Sequence, residues 1–185
     1  GELQRVAICA TLLKEADVYF FDEPSSYLDI YERMRMVGVV RDLADRGKRV
    51  LVVEHDLAIL DVLCDLIHVI YGERSAYGIF TPPRSTRTAI NAYLDGFLPE
   101  ENVRIRDKPI RFLRGRTRGE EVGTPVIKWG SIEKTLGDFN LKTEDGEVKS
   151  AEVVGVVGPN ATGKTTMIKI IAGEIDPDEG WCTMD

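Results

Sequence analysis

Near the C-terminal end the chain reads Gly158-Pro159-Asn160-Ala161-Thr162-Gly163-Lys164-Thr165-Thr166. This run fits G-x-x-x-x-G-K-[ST], and few stretches leave a chain so little freedom of fold. Gly158 and Gly163 let the backbone turn tightly and bring its N–H groups close to phosphate oxygens. Lys164 reaches the β- and γ-phosphates of a nucleotide, and the Thr165 hydroxyl is placed to ligate Mg²⁺. The pattern works only between a strand and a helix. Ala151-Glu152-Val153-Val154-Gly155-Val156-Val157 is apolar and β-branched, as a buried strand requires, and a helix is expected from Thr165 to Ala172 with Gly173 as its stop. The helix N-terminus would then face the phosphates with its partial positive charge. A Gly-rich turn that merely matched the pattern would lack these neighbours. The expected contacts to a nucleotide's phosphates and Mg²⁺ are Gly158, Asn160, Gly163, Lys164, Thr165 and Thr166.

The 185 residues suffice for one large domain or pieces of two, and the net charge of −7 argues against a surface that coats nucleic acid everywhere. No apolar run approaches bilayer-spanning length and no signal peptide is visible, so a cytoplasmic setting without membrane contact is expected. Cys9, Cys64 and Cys182 form no CxxC pair and no zinc pattern. They read as small buried hydrophobes in a reducing compartment.

From the start, Gly1-Glu2-Leu3-Gln4-Arg5 leads into a helix with Leu3, Val6, Ala7, Ala10 and Leu13 on one face. Val18-Tyr19-Phe20-Phe21 then reads as a buried strand delivering Asp22 and Glu23 at its C-terminal end, the Walker-B arrangement. Asp22 is placed to hold Mg²⁺ and Glu23 to polarise an attacking water. Paired acids at a strand end can also be an ordinary solvated loop. A long helix follows from about Asp29 to Asp45, stopped at Gly47. Val50-Leu51-Val52-Val53 is a second buried strand, ending at Glu54-His55-Asp56. A histidine at a strand end can contact a γ-phosphate through its ring N–H, although taken alone His55 reads as a surface histidine. A helix over Leu57–Cys64 and an apolar strand over Leu66–Tyr71 come next. Tyr71 to Phe80 reads as a hairpin and Arg87–Leu94 as a short helix.

Gly1-Glu2-Leu3-Gln4-Arg5, Asp22-Glu23-Pro24, Ser26-Tyr27-Leu28-Asp29 and Glu54-His55-Asp56 come in the order and spacing of an ABC-type ATPase domain. They resemble its signature loop (without the leading Leu-Ser-Gly), Walker B, D-loop and switch-histidine loop. The resemblance implies an α/β fold of P-loop NTPase architecture. In such a domain the phosphate loop precedes the signature and Walker B; here it follows them. Either the chain is circularly permuted or it crosses the junction of two tandem domains. The second reading needs fewer assumptions. It gives two partial nucleotide-binding domains joined by a hinge: residues 1–97 as the C-terminal part of the first, 98–121 as the hinge, and 122–185 as the N-terminal part of the second. Pro125–Trp129, Ile132–Leu136 and Phe139–Thr143 then resemble the opening antiparallel strands of the second domain. Phe139 lies where this family stacks an aromatic on adenine, and a core position is the alternative. Trp181–Asp185 is expected as a further strand.

Ser25-Ser26-Tyr27-Leu28-Asp29, Tyr71 through Gly78 and Gly96-Phe97-Leu98-Pro99-Glu100-Glu101-Asn102 resemble subfamily E, the twin-ATPase ribosome-recycling factors or RNase L inhibitor family. The resemblance implies an ATPase whose two domains close on ATP to split ribosomal subunits, with the small subunit and release or recycling factors as partners. It implies that iron–sulfur clusters belong to an N-terminal region outside this sequence. Lys164 and Thr165 would share one nucleotide with the signature remnant Gly1 and Glu2, with Ser26 and Asp29 near the same interface. Asp22, Glu23 and His55 would serve the other site. Since neither site is complete, the isolated chain is expected to be inactive. Arg104, Arg106, Lys108, Arg111, Arg114, Arg116 and Arg118 crowd the hinge; such a run is either a solvated face or a contact to RNA phosphates. The rival functions are a membrane-transporter ATPase subunit and a non-enzymatic tandem-domain regulator of translation.

Overall fold

The computed structural model describes residues 1–112 and 123–184, and the chain divides into two compact units, Gly1–Gly115 and Arg116–Asp185. The first unit opens with helix α1 (Glu2–Leu12), whose N-cap is Gly1. Helical spacing allows more than one inward face, and the core selects Ile8, with Gln4, Thr11 and Leu12 half-buried beside it. The expected stripe is therefore corrected: Leu3, Val6 and Leu13 are exposed.

Strand β1 (Val18–Asp22) pairs in parallel with β2 (Arg49–Val53), from Val18 opposite Arg49 to Asp22 opposite Val53. Parallel neighbours need a crossover, and helix α2 (Ile30–Asp45) supplies it. Asp29 caps α2, its Oδ1 accepting from Glu32 N at 3.1 Å, and the chain leaves α2 through Gly47 at φ 79°. Helix α3 (Leu57–Leu63) follows, capped by Asp56, which accepts from Ala58 N at 3.0 Å. Tyr19, Phe21 and Leu28 pack with Ile8, with Met36, Val40 and Leu43 of α2 and with Ile59 and Leu63 of α3. This core covers one face of the ribbon. On the other, Val18, Phe20, Leu51 and Val53 are exposed. Both β1 and β2 were expected to be buried strands; each is covered on one side among the described residues.

The apolar run after α3 does not make one strand. It divides into β3 (Leu66–Ile67) and β4 (Ile70–Glu73), because β3 pairs with β6 (Arg84–Ser85) while β4 pairs with β5 (Tyr77–Phe80). Between them His68 Nδ1 lies 2.9 Å from Thr81 O. Helix α4 (Thr86–Asp95) ends at Gly96 in the left-handed region, φ 72°. The chain then returns as a short hairpin of β7 (Phe97–Leu98) and β8 (Val103–Arg104). Leu98 is fully buried with Val69, Ala89 and Ala92, and Arg84, itself buried, is paired with Glu100 and Glu101.

The second unit is built on β9 (Pro125–Leu136), a single twelve-residue strand where two were expected. Ser131, at φ 40°, marks the irregularity that the sequence showed as a break. Three strands pair antiparallel with β9: β10 (Phe139–Lys142), β11 (Gly146–Lys149) and β12 (Glu179–Met184). Helix α5 (Lys164–Ile171) lies between β11 and β12 in sequence and buries Ile170.

Residues 151–157 are the clearest correction. They form no strand, and Val153 and Val157 are 98% and 94% exposed. A β-branched run becomes a strand only when a neighbour accepts its ladder hydrogen bonds. Among the described residues no strand pairs with it. The cysteines are corrected as well: Cys9 is exposed on α1, and Cys64 and Cys182 are half-buried.

Candidate functional site

In the second unit the phosphate loop has the geometry its composition demands. Gly163 caps α5 at φ 90°, and Ala161 adopts φ 61°. Lys164 turns back over the loop. Its Nζ donates to Gly158 O at 2.8 Å and also to Pro159 O, while Thr162 Oγ1 donates to Pro159 O at 2.9 Å. The ammonium is thus stationed where the loop encircles its own carbonyls. The first-turn N–H groups of α5 have no partners within the helix. A half-buried lysine, helix-start N–H groups and the hydroxyls of Thr165 (exposed) and Thr166 (half-buried) form a donor set suited to a polyphosphate. Asn160 lies exposed on the same loop.

Phe139 is half-buried and sits under this loop. A Cβ placed on Gly163 would come 2.8 Å from Phe139 Cζ and 2.9 Å from Leu141 Cδ1. The aromatic side chain thus touches the glycine that starts the helix, which explains why no larger residue fits there. The Mg²⁺ donor set is sparse: among the described residues no cluster of three or more His, Cys, Asp or Glu could hold a metal. One hydroxyl, from Thr165, fits a cation that arrives on the phosphates and keeps most of its water.

The first unit brings together the acidic and histidine motifs. Parallel pairing places the ends of β1 and β2 side by side, with Glu23 N donating to Val53 O at 2.9 Å. Asp22 and Glu23 therefore emerge beside Glu54-His55-Asp56. His55 Nδ1 lies 3.5 Å from Glu23 Oε1, and Ser26 Oγ donates to Glu23 Oε2 at 3.2 Å. Glu23 itself sits at φ 45° and Tyr27 at φ 62°, two left-handed residues that are not glycine. Such backbone strain persists only where surrounding contacts hold it. Gln4 Nε2 donates to the carbonyls of Glu23 and Pro24, each at 3.3 Å, and Ser25 N donates to Glu54 Oε1 at 2.9 Å. Asp29, expected beside a nucleotide, caps α2; Arg33 Nε donates to Leu28 O at 3.0 Å and Arg33 Nη1 pairs with Asp56 at 2.8 Å. Gly1 and Glu2 lie at the exposed start of α1. Asp22 and Lys164 belong to different units. Sequence reasoning missed Gln4 and Glu54 as organisers of the turn. Their signal in sequence was membership of the quoted motifs, Gly1–Arg5 and Glu54–Asp56.

Two residues of the basic stretch are engaged rather than free. Arg104 lies 5.8 Å over the Phe97 ring, and Arg106 lies 5.1 Å over Tyr93. Arg114, Arg116 and Arg118 lie outside the described residues.

A phosphate loop on an antiparallel sheet, and a strand-end Asp-Glu pair beside a histidine, define the class: the chain belongs to the ABC-type ATPases. The ABC transporter family model matches residues 141–185. Within that class it belongs to subfamily E. It is 45% identical over 183 residues to the translation initiation factor RLI1 of Saccharomyces cerevisiae, covering 97% of this chain and 30% of that protein. It is 49% identical over 180 residues to an uncharacterized ABC transporter ATP-binding protein of Methanocaldococcus jannaschii, covering 97% of this chain and 29% of the relative. A crystal structure of archaeal ribosome recycling factor aABCE1 with the ribosomal stalk protein aP1 matches at TM-score 0.90 and 51% identity, over 100% of this chain and 36% of that one. The chain thus spans less than a third of the length of these two curated relatives. Among the described residues no helix is long and apolar enough to cross a membrane.

Proposed function

We propose that this chain is part of a tandem ABC ATPase that uses ATP binding and hydrolysis to drive domain closure in cytoplasmic ribosome recycling. The observation that carries this is the 51% identity to the ribosome recycling factor aABCE1, with all of this chain covered. It includes the proposed hinge over 98–121, which runs across the boundary between the two units.

In this reading Glu23 takes the proton of the attacking water. His55 and Ser26, at 3.5 and 3.2 Å from its two carboxylate oxygens, orient it. Asp22 and, in the second domain, Thr165 would hold Mg²⁺, which supplies charge neutralisation on the phosphates when bound. Lys164 exchanges its two loop carbonyls for phosphate oxygens. Phe139 is offered to the adenine from beside the loop, and Gly158, Asn160, Gly163, Thr166, Gly1, Glu2, Ser26 and Asp29 complete the proposed nucleotide contacts. The ribosomal small subunit and its release or recycling factors are the proposed partners, with the basic hinge meeting RNA.

The test uses the full-length protein that carries this chain. Single-turnover ATP hydrolysis and dissociation of ribosomal subunits are expected from the wild type. Glu23→Gln should lower hydrolysis at its site by about 10²-fold or more, the scale of general-base catalysis. Failure to associate with small subunits at low salt, together with hydrolysis unchanged by Glu23→Gln, would overturn the reading.

A further inference from the structure

We infer that Glu54 is a positioning residue for hydrolysis, acting by tying the turn after Glu23 to the strand end that carries His55. The inference rests on the assignment of Glu23 and His55 just given and adds to it a residue with no contact to the reacting atoms.

The geometry is specific. Glu23 and Tyr27, both left-handed, lie on either side of Ser25 in the same turn. Ser25 is 2% exposed, so its N–H has no access to water. Its partner is Glu54 Oε1 at 2.9 Å, from the neighbouring strand end. The other oxygen, Oε2, is buried and accepts no hydrogen bond among the described residues. A carboxylate held this way costs desolvation for half its acceptor capacity. An uncharged apolar residue would avoid that cost but would leave the buried Ser25 N–H without an acceptor, so what the position requires is an oxygen at this reach. The bond closes a short loop of contacts: Glu54 to Ser25, Ser26 to Glu23, Glu23 to His55, and His55 to Glu54 along the backbone. Without Glu54, the buried Ser25 N–H loses its acceptor and the strained turn can relax, which moves Glu23 away from His55. Gln4 steadies the same turn from α1. Beside the backbone bond from Glu23 N to Val53 O, Glu54 adds a side-chain anchor next to the histidine.

The experiment measures single-turnover ATP hydrolysis, nucleotide KM and thermal unfolding in the full-length protein. The variants are Glu54→Gln and Glu54→Ala, each in wild-type and His55→Ala backgrounds. Glu54→Gln keeps an oxygen for Ser25 N–H and should retain the rate within about threefold. Glu54→Ala should lower kcat at this site about tenfold or more, with KM within about twofold. In the His55→Ala background the added loss should shrink below about twofold, because the contact being positioned is already gone. Equal losses in Glu54→Gln and Glu54→Ala would overturn the inference. So would full multiplicative loss in the His55→Ala background, or a raised KM with kcat unchanged. If Glu54→Ala does not fold, Glu54→Gln and Glu54→Asp decide. Asp keeps the charge but falls one methylene short of Ser25, so rate loss in Asp with retention in Gln supports the bond, and the reverse order overturns it. Hydrolysis that survives Glu23→Gln would instead defeat the underlying assignment, and is read separately.

Discussion

Gly163→Ala is the substitution whose cost the structure predicts most sharply. Two effects add. At φ 90° an L-residue with a Cβ costs about 1–2 kcal/mol. The new Cβ would also lie 2.8 Å from Phe139 Cζ and 2.9 Å from Leu141 Cδ1. Relieving that overlap costs about 1–3 kcal/mol where neighbours are packed. The sum, about 2–5 kcal/mol, is a large share of the stability of a small unit. Gly137 provides the control. It sits at φ 60° in the β9–β10 turn with nothing within 4 Å of a built Cβ, so Gly137→Ala should cost only the conformational part, about 1–2 kcal/mol. Any loss of unfolded-chain entropy on replacing glycine is common to both and cancels in the comparison. Both tryptophans, Trp129 and Trp181, lie in β9 and β12, so urea unfolding followed by tryptophan fluorescence reports this unit alone. Gly163→Ala should lose about 1–3 kcal/mol more than Gly137→Ala. Adding Phe139→Ala to Gly163→Ala should cost less than Phe139→Ala costs in the wild type. Equal destabilisation by the two glycine substitutions, or strict additivity with Phe139→Ala, would refute the reasoning.

Lys164→Ala in the full-length protein should weaken ATP binding at its site about 10- to 100-fold, the worth of charge-assisted hydrogen bonds, and calorimetry checks it. Asp56→Ala removes the α3 cap and the Arg33 pair together and should cost about 1–2 kcal/mol in urea unfolding, whereas Asp56→Asn, which keeps the cap, should cost less. Asp178 lies below the usual carboxylate range, first because Lys134 donates to it and then because Thr135 N does. A carboxyl depressed in the folded state stabilises above its unfolded pKa of about 3.9 and loses that contribution as pH falls through the lower folded value. Asp178→Asn should therefore be less stable than wild type near pH 6, with the gap closing toward pH 3, as urea midpoints at the two values would show.

The motifs were legible in sequence because their chemistry is local. The glycines, lysine and threonines of residues 158–166 carry their own turn and their own helix start, so Gly163 and Lys164 stand where the pattern placed them. Asp22 and His55 are the ends of two apolar runs, and any parallel pairing of those runs brings them together. Asp29 and Asp56 are followed by helix formers and cap the helices that start there. The order of the motifs along the chain also held its own information, since Asp22 and Lys164 fall in separate units. Facing and partnership could not be read this way. The α1 helix carries apolar residues on more than one side, and only the arrival of Tyr19 and Leu28 decides for Ile8. Residues 151–157 have every local property of a strand but, among the described residues, no neighbouring strand to accept their hydrogen bonds, because backbone pairing is a property of two segments and not of one. Glu54 and Gln4 acquire their roles at Glu23, Pro24 and Ser25 through hydrogen bonds across about twenty to thirty residues of chain. Such bonds exist only after α1 has docked beside β1 and β2 has paired with it, so tertiary structure alone assigned them.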